Sequence, residues 1–267
     1  MSEVVCRLIR DNFQNFKSYT IPKAQLVIAD IPYNIGTEFY ARRPDWYVDG
    51  DNRNGESNKA GKAAFHTDYS LNIAEFFHFC NRLLKKEPKT GEKDAPCMVV
   101  FCSFQQIPQV IEQAEKYGFK NHIPLVFCKN YSPQVLKANM KIVGATEYAL
   151  VLYRGKLPKF RNTDADGKHH MIFNWFDWKR DGKEYPKIHP SQKPVGVVRR
   201  LIEIFTDPGD VVIDPCAGSG STLRAARELG RHSYGFEVSR EFYKLATEQM
   251  LGVCQEGKSN ERSLENY

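Results

Sequence analysis

The stretch Leu26-Val27-Ile28-Ala29-Asp30-Ile31-Pro32-Tyr33-Asn34-Ile35-Gly36 decides how the rest of the chain is read. An unbroken apolar run that stops at a charge and a proline reads as a strand buried on both faces, the kind found inside a parallel sheet. In open α/β sheets ligands sit beyond the carboxyl ends of the strands, so Asp30 and Tyr33 are placed to meet a substrate. Asp30 and a backbone carbonyl can each accept one N–H of an exocyclic amine and draw its lone pair out of conjugation, while Tyr33 offers a ring for stacking. Asp-x-Pro-Tyr is also an ordinary turn after a strand, and four residues alone do not separate the two readings.

Downstream, residues 37–68 are polar and glycine-containing, without apolar periodicity, and are expected to form a long loop that closes as a mobile flap over the substrate. Ile73, Phe76, Phe77, Cys80, Leu83 and Leu84 then repeat at helical spacing. A strand is expected over 96–102, a helix through Ile107, Val110, Ile111, Ala114 and Tyr117 that stops at Gly118, and further strands over 123–128 and 147–153. Strands alternating with helices argue an α/β fold with a parallel sheet wrapped by helices.

The chain has 267 residues, 42% hydrophobic and 26% charged, which suits one well-buried soluble domain. No apolar run approaches the ~20 residues that span a membrane, and the first residues are no secretory signal, so a cytoplasmic protein is expected. Seven cysteines without a C-x-x-C pair read as buried free thiols, and no structural metal is expected. A net charge of +6 permits a polyanionic partner.

That basicity is concentrated in 154–187, where nine Lys and Arg face five acids. Lys156, Lys159, Arg161, Lys179 and Arg180 are the candidate phosphate contacts, interleaved with His169, His170, Phe173, Trp175, Phe176 and Trp178 as rings for stacking or wedging. The plainer reading of the aromatic run is a hydrophobic plug that pins a loop.

His189-Pro190-Ser191-Gln192-Lys193-Pro194 leads into a helix with Val197, Val198, Leu201, Ile202 and Phe205 on its buried face, and Ser191, Lys193 and the free amides of the helix start are suited to a carboxylate. A strand, Val211-Val212-Ile213-Asp214, then enters the turn Pro215-Cys216-Ala217-Gly218-Ser219-Gly220-Ser221-Thr222. A helix carrying Leu223, Ala226 and Leu229 ends at Gly230, and a strand delivers Glu237 nineteen residues after Gly218. Glycines let backbone approach a ligand, and an acid about 20 residues on takes ribose hydroxyls, so a nucleoside cofactor fits. The third glycine of the dinucleotide fingerprint is absent, which disfavours a pyrophosphate and an oxidoreductase. Ser239 is expected to cap a last helix, and the tail from 256 is polar.

Together these segments resemble the beta class of DNA amino-methyltransferases. Asp30-Ile31-Pro32-Tyr33 resembles their D/S-P-P-Y tetrad, Asp214 to Gly220 their D-P-F-x-G-S-G loop, and His189 to Pro194 their H-P-T-Q-K-P segment, with the tetrad first and the cofactor loop last. The resemblance implies a Rossmann-like methyltransferase sheet, mostly parallel, with helices on both faces and a permuted motif order. It implies one domain over 1–267, with 154–187 as a short target-recognition insert. The methyl donor S-adenosylmethionine would be bound by Asp30, Ser191, Lys193, Asp214, Cys216, Gly218, Gly220, Ser221 and Glu237, and Asp30, Ile31, Pro32 and Tyr33 would be catalytic. The partner would be DNA, in a restriction-modification or phage setting, its target base flipped onto Tyr33. A homodimer is left open. Asp at the head of the tetrad leans toward adenine. Cytosine amine methylation, an RNA or protein-amide methyltransferase, and an inactive nucleic-acid-binding protein are the alternatives. Ile31 stands where the family has proline and Cys216 where it has phenylalanine. The carbonyl at 31 survives, and Pro32 keeps Ile31 extended, so activity is expected to persist.

Overall fold

The computed structural model describes residues 3–33, 71–89, 93–130, 134–137, 142–163, 166–189 and 191–252. The expected loop over 37–68 and the tail from 256 lie outside the described residues.

The opening stretch forms strand β2 (Leu26–Asp30), and every residue before Asp30 is buried. Its side chains alternate: Val27 and Ala29 pack with Phe76, Phe77 and Phe79 of helix α1 (Ile73–Leu83), whereas Leu26 and Ile28 pack with Leu201 and Ile202 of α3 (Val195–Phe205). Such double burial explains the unbroken apolar run. The phenylalanines of α1 are almost fully buried, each contributing about 1.5–3 kcal/mol of transfer free energy. Asn72 caps α1 by accepting the N–H groups of Ala74 and Glu75.

Ten strands are present among the described residues, eight of them in one sheet. Its order is β1 (Cys6–Ile9), β10 (His232–Phe236), β9 (Val211–Asp214), β2, β3 (Cys97–Cys102), β7 (Thr146–Tyr153), β4 (Asn121–Lys129) and β8 (Trp175–Trp178). All neighbouring pairs are parallel except those made by β7, which runs against both β3 and β4. Helices α1 and α2 (Ile107–Lys116) cover one face, and α3 and α4 (Ser221–Glu228) the other.

The sequence pattern therefore gives a mostly parallel sheet, with a correction at 147–153. A parallel return needs a crossover, usually a helix. Between Lys129 and Thr146 the described residues hold only a small hairpin, β5 (Gln134–Lys137) and β6 (Ile142–Gly144), so β7 returns antiparallel. Strand β8 is a second difference: the aromatic run read as a stacking or plugging loop pairs with β4, Lys129 opposite Trp178. It divides between the two readings, since Trp178 is buried in the core while Phe173 and Trp175 stack on each other in the open. The short β1 carried no signal that separated it from its flanks.

Ser239 caps the last helix, α5 (Arg240–Leu245), as expected, by accepting the N–H of Phe242. A wider turn over Ala246–Met250 continues it and backs the glycine-rich loop.

Candidate active site

The carboxyl ends of β2 and β9 are neighbours, joined through the register Leu26 with Val212 and Val27 with Ile213. Two loops thus open side by side, one carrying Asp30 to Tyr33 and the other Asp214 to Gly220.

In the first loop, Ile31 extends the ladder by one residue, its N–H donating to Phe101 O at 3.2 Å, and its side chain is buried against α1. Gln106, which sequence reasoning missed, closes this loop. Its amide donates to Pro32 O at 2.9 Å, while its oxygen accepts the N–H of Ser103 at 3.0 Å. A glutamine inside an amphipathic pattern gives no sign of such a task.

Asp30 Oδ2 lies 2.6 Å from the ammonium of Lys193, which also lies 3.1 Å from Glu147 Oε2 and 3.3 Å from the Tyr33 hydroxyl. Tyr33 donates to the same Glu147 oxygen at 2.8 Å, and Lys129 pairs with the other oxygen. Trp178 lies beneath both lysines, 5.0 Å from Lys129 and 5.7 Å from Lys193. Burial by itself would raise the Glu147 carboxyl, but Lys193 and Lys129 pull it down to about 2. Burial likewise works against the charge of Lys193, and Asp30 and Glu147 outweigh it, so its pKa is raised. The Tyr33 phenol is pushed well up, by burial first and then by the charges of Glu147 and Asp30.

Glu147 and Lys129 were not anticipated. They stand at the Asp30-side ends of two paired antiparallel strands, where Phe127 faces Glu147 and Lys129 is its diagonal neighbour. The available signal was a charge at the end of each otherwise apolar run.

In the second loop, Cys216 N–H donates to Asp214 Oδ1 at 2.9 Å, turning the chain at once. Gly218 and Gly220 hold positive φ, +51° and +78°, where a side chain is strained. A Cβ built on Gly218 would have no neighbour nearer than the Cys216 carbonyl at 4.0 Å, so backbone there faces open space. Glu237 closes the loop from below: Oε2 accepts Gly218 N–H at 2.9 Å and Oε1 accepts Ser239 N–H at 2.6 Å. Each oxygen keeps a second lone pair for an incoming hydroxyl. Burial raises the Glu237 carboxyl despite these amides, and burial raises Asp214 to about 7, with the charges of Asp30 and Glu237 adding to it. Ser221, first in α4, shares a 3.0 Å hydrogen bond with Ser219. An open glycine turn with a carboxylate at its rim suits the adenosine half of S-adenosylmethionine.

The His189 to Pro194 segment is partly rearranged from expectation. Ser191 Oγ pairs with His189 Nδ1 at 3.1 Å, and Lys193 turns to Asp30. The start of α3 is not open to a ligand carboxylate: Asp181 accepts Val195 N–H at 3.0 Å and caps it. His189 is held at about 4, by burial and then by Lys193, so it is neutral at physiological pH.

The phosphate contacts expected at Lys156, Lys159 and Arg161 need correction. They follow the far end of the antiparallel β7, at the edge opposite Asp30. Lys159 is buried between Asp207 and Asp210, at 2.7 and 2.6 Å. Arg161 bridges Asp94 and Asp207, at 2.7 and 2.8 Å. Lys156 donates to the carbonyls of Pro88 and Lys89. Reading all the cations of 154–187 as one patch failed because β7 and β8 leave the sheet at opposite edges. Lys179 and Arg180 follow β8 at the same edge as Asp30, exposed, and line a cleft of about 430 Å³ beside the first turn of α3.

Comparison with known proteins agrees with this geometry. The family model N6_N4_Mtase, described as DNA methylase, matches residues 24–248, and the chain belongs to that family. The DNA adenine methyltransferase YhdJ of Escherichia coli (strain K12) is 26% identical over 257 residues, covering 90% of this chain and 80% of its own. The crystal structure of the M1.HpyAVI–SAM complex superposes with a TM-score of 0.62 at 21% identity, covering 91% of this chain and 97% of that one. PvuII DNA methyltransferase, cytosine-N4-specific, superposes at 0.59 with 17% identity, covering 92% and 88%. The fold is that of these methyltransferases. Among the described residues, no group of three or more His, Cys, Asp or Glu is arranged to hold a metal, and no helix is long and apolar enough to cross a membrane.

Proposed function

We propose that this chain moves a methyl group from S-adenosylmethionine to the exocyclic amino group of adenine in DNA. The observation that carries the reading is the adjacency of β2 and β9, which sets the Asp30 to Tyr33 tetrad beside the glycine turn and Glu237.

When bound, the donor supplies a methyl carbon on a sulfonium, whose sulfur keeps the C–S electron pair and leaves as a neutral thioether. Glu237 accepts the ribose hydroxyls, and the backbone at Gly218 allows close approach. Asp30 and the Ile31 carbonyl each accept one amino N–H, so the nitrogen lone pair is free to form the new N–C bond. The nitrogen then sheds one proton to an Asp30 oxygen or to water. Tyr33 stacks on the base, which must leave the duplex to reach this depth. Such a transfer needs alignment and a poised acceptor more than a strong base. Lys179 and Arg180 serve DNA phosphates at the same edge, and with DNA as substrate we place the protein in the cytoplasm.

An aspartate at the head of the tetrad supports adenine through the family resemblance, in which tetrads headed by Asp go with adenine and those headed by Ser with cytosine; an anionic acceptor also binds an amino proton more strongly than a hydroxyl does. Nucleoside mass spectrometry of DNA treated with enzyme and labelled donor tests the assignment: methyladenine is expected. Methylcytosine alone would move the activity to the cytosine amine. Label found only in RNA or protein would remove DNA as substrate.

A further inference from the structure

We infer that Glu147 is a positioning residue of the methyl-transfer site, sharing the charge of Lys193 with Asp30 and holding the Tyr33 hydroxyl, so that Asp30 does not carry the ammonium alone. The inference rests on the reading of Asp30 to Tyr33 as the amine-binding tetrad.

The geometry divides the labour of the carboxylate by oxygen. Oε1 takes Lys129, and Oε2 takes both Lys193 and Tyr33, at 3.1 and 2.8 Å. Two cations and two carboxylates are thereby gathered with no net charge, over the rings of Trp178 and Phe101. Charges buried this way persist only when paired and hydrogen-bonded. Neutralising Glu147 leaves two lysines and one carboxylate, so Lys193 settles wholly on Asp30. An oxygen gripped by an ammonium is a poorer acceptor for an amino N–H. Tyr33 at the same time loses the acceptor that fixes its hydroxyl, and with it the ring plane on which a base would stack.

This role differs from structural support in what it changes. Among the described residues, the titratable groups around Lys193 are Asp30 and Tyr33 at the exit of β2, Cys102 of β3, Lys129 of β4, Glu147 of β7, and His189. Within that set Glu147 supplies one of the two negative charges that raise Lys193. In Glu147→Gln the pKa of Lys193 falls, and because its ammonium competes with the amine for Asp30, the rate deficit of the variant narrows as pH rises through that lowered pKa. Glu147→Asp keeps the charge and restores part of the rate.

The test is a single-turnover measurement at saturating donor, on duplex DNA, for the wild-type chain, Glu147→Gln and Glu147→Asp, with donor Kd from calorimetry and melting temperature alongside. The expected result for Glu147→Gln is a rate constant lower by about 10- to 100-fold, or about 1.4–2.8 kcal/mol, with a much smaller change in donor Kd. A merely structural role would lower the melting temperature and the amplitude of the turnover while leaving the rate constant and pH profile of the folded fraction unchanged, and that outcome overturns the inference. Wild-type protein that binds donor but methylates neither adenine nor cytosine amines sinks the reading of the tetrad itself and takes this inference with it. That failure shows in the wild-type arm, before any variant is compared.

Discussion

Replacing Lys159 by methionine separates the two roles that a basic residue in 154–187 can have. The ammonium of Lys159 sits 2.7 Å from Asp207 and 2.6 Å from Asp210, on a side chain only 10% exposed. Removing one partner of a buried ion pair costs about 3–5 kcal/mol. Here the loss is cushioned, because Asp210 keeps Lys85 at 3.0 Å and Asp207, itself 40% exposed, keeps Arg161 at 2.8 Å. Methionine also preserves the packing of the lysine stem, so about 2 kcal/mol is expected, which for a chain of this size lowers the melting temperature by about 4–8 °C. Asp207 fixes the pH dependence. Its hydrogen bonds from Arg161, with burial opposing and Lys159 assisting, hold it at about 2. A depressed carboxylate contributes stability above its unfolded pKa and loses it as pH falls, so the gap between wild type and Lys159→Met narrows from about pH 4 downward. Fluorescence anisotropy on duplex DNA across a salt series completes the test. Lys159→Met leaves affinity and salt slope unchanged, whereas Lys179→Ala or Arg180→Ala each reduces the slope by about one unit. An unshifted melting temperature together with a reduced slope in Lys159→Met would refute the assignment of this lysine to the ion-pair cluster.

Three further outcomes are expected. Glu237→Ala weakens donor binding by about 1–3 kcal/mol in titration calorimetry, because a buried charged acceptor is removed, and unchanged affinity would sink its role. Asp30→Ala loses turnover while the chain still folds, checked by single-turnover kinetics beside circular dichroism. Near-normal rates would take Asp30 out of the mechanism. Asp214 is raised to about 7, burial being the largest cause, so the stability linked to its proton is full below about pH 4 and lost as pH rises through about 7. Asp214→Asn avoids that loss, and its melting temperature relative to wild type rises between about pH 5 and pH 8. A constant difference would contradict the sign.

What the sequence disclosed was whatever depends on near neighbours. An apolar run buried on both faces looks the same in any sheet, and the turn Asp214 to Gly220 needs its glycines for its own backbone angles, so both were legible one segment at a time. The contacts missed span long separations. Lys193 meets Asp30 163 positions away, and Gln106 meets Pro32 74 positions away. Strand direction was the hidden variable: once β7 runs antiparallel, its first residues stand at the Asp30 edge and its last at the opposite one. That single reversal brings Glu147 into the site and carries Lys156, Lys159 and Arg161 out of reach of it.

The same long-range contacts account for isoleucine in the second position of the tetrad. Proline there would stiffen the loop but could not donate to Phe101, a bond that Ile31 makes at 3.2 Å. The isoleucine side chain is also buried with the phenylalanines of α1, and Gln106 holds the next carbonyl from the other side. Rigidity that proline would supply through its ring is supplied here by one more rung of the sheet, a buried side chain and a glutamine clamp. If Ile31 acts as proposed, what the position needs is a fixed backbone with its carbonyl intact, and the core of this chain supplies the fixing.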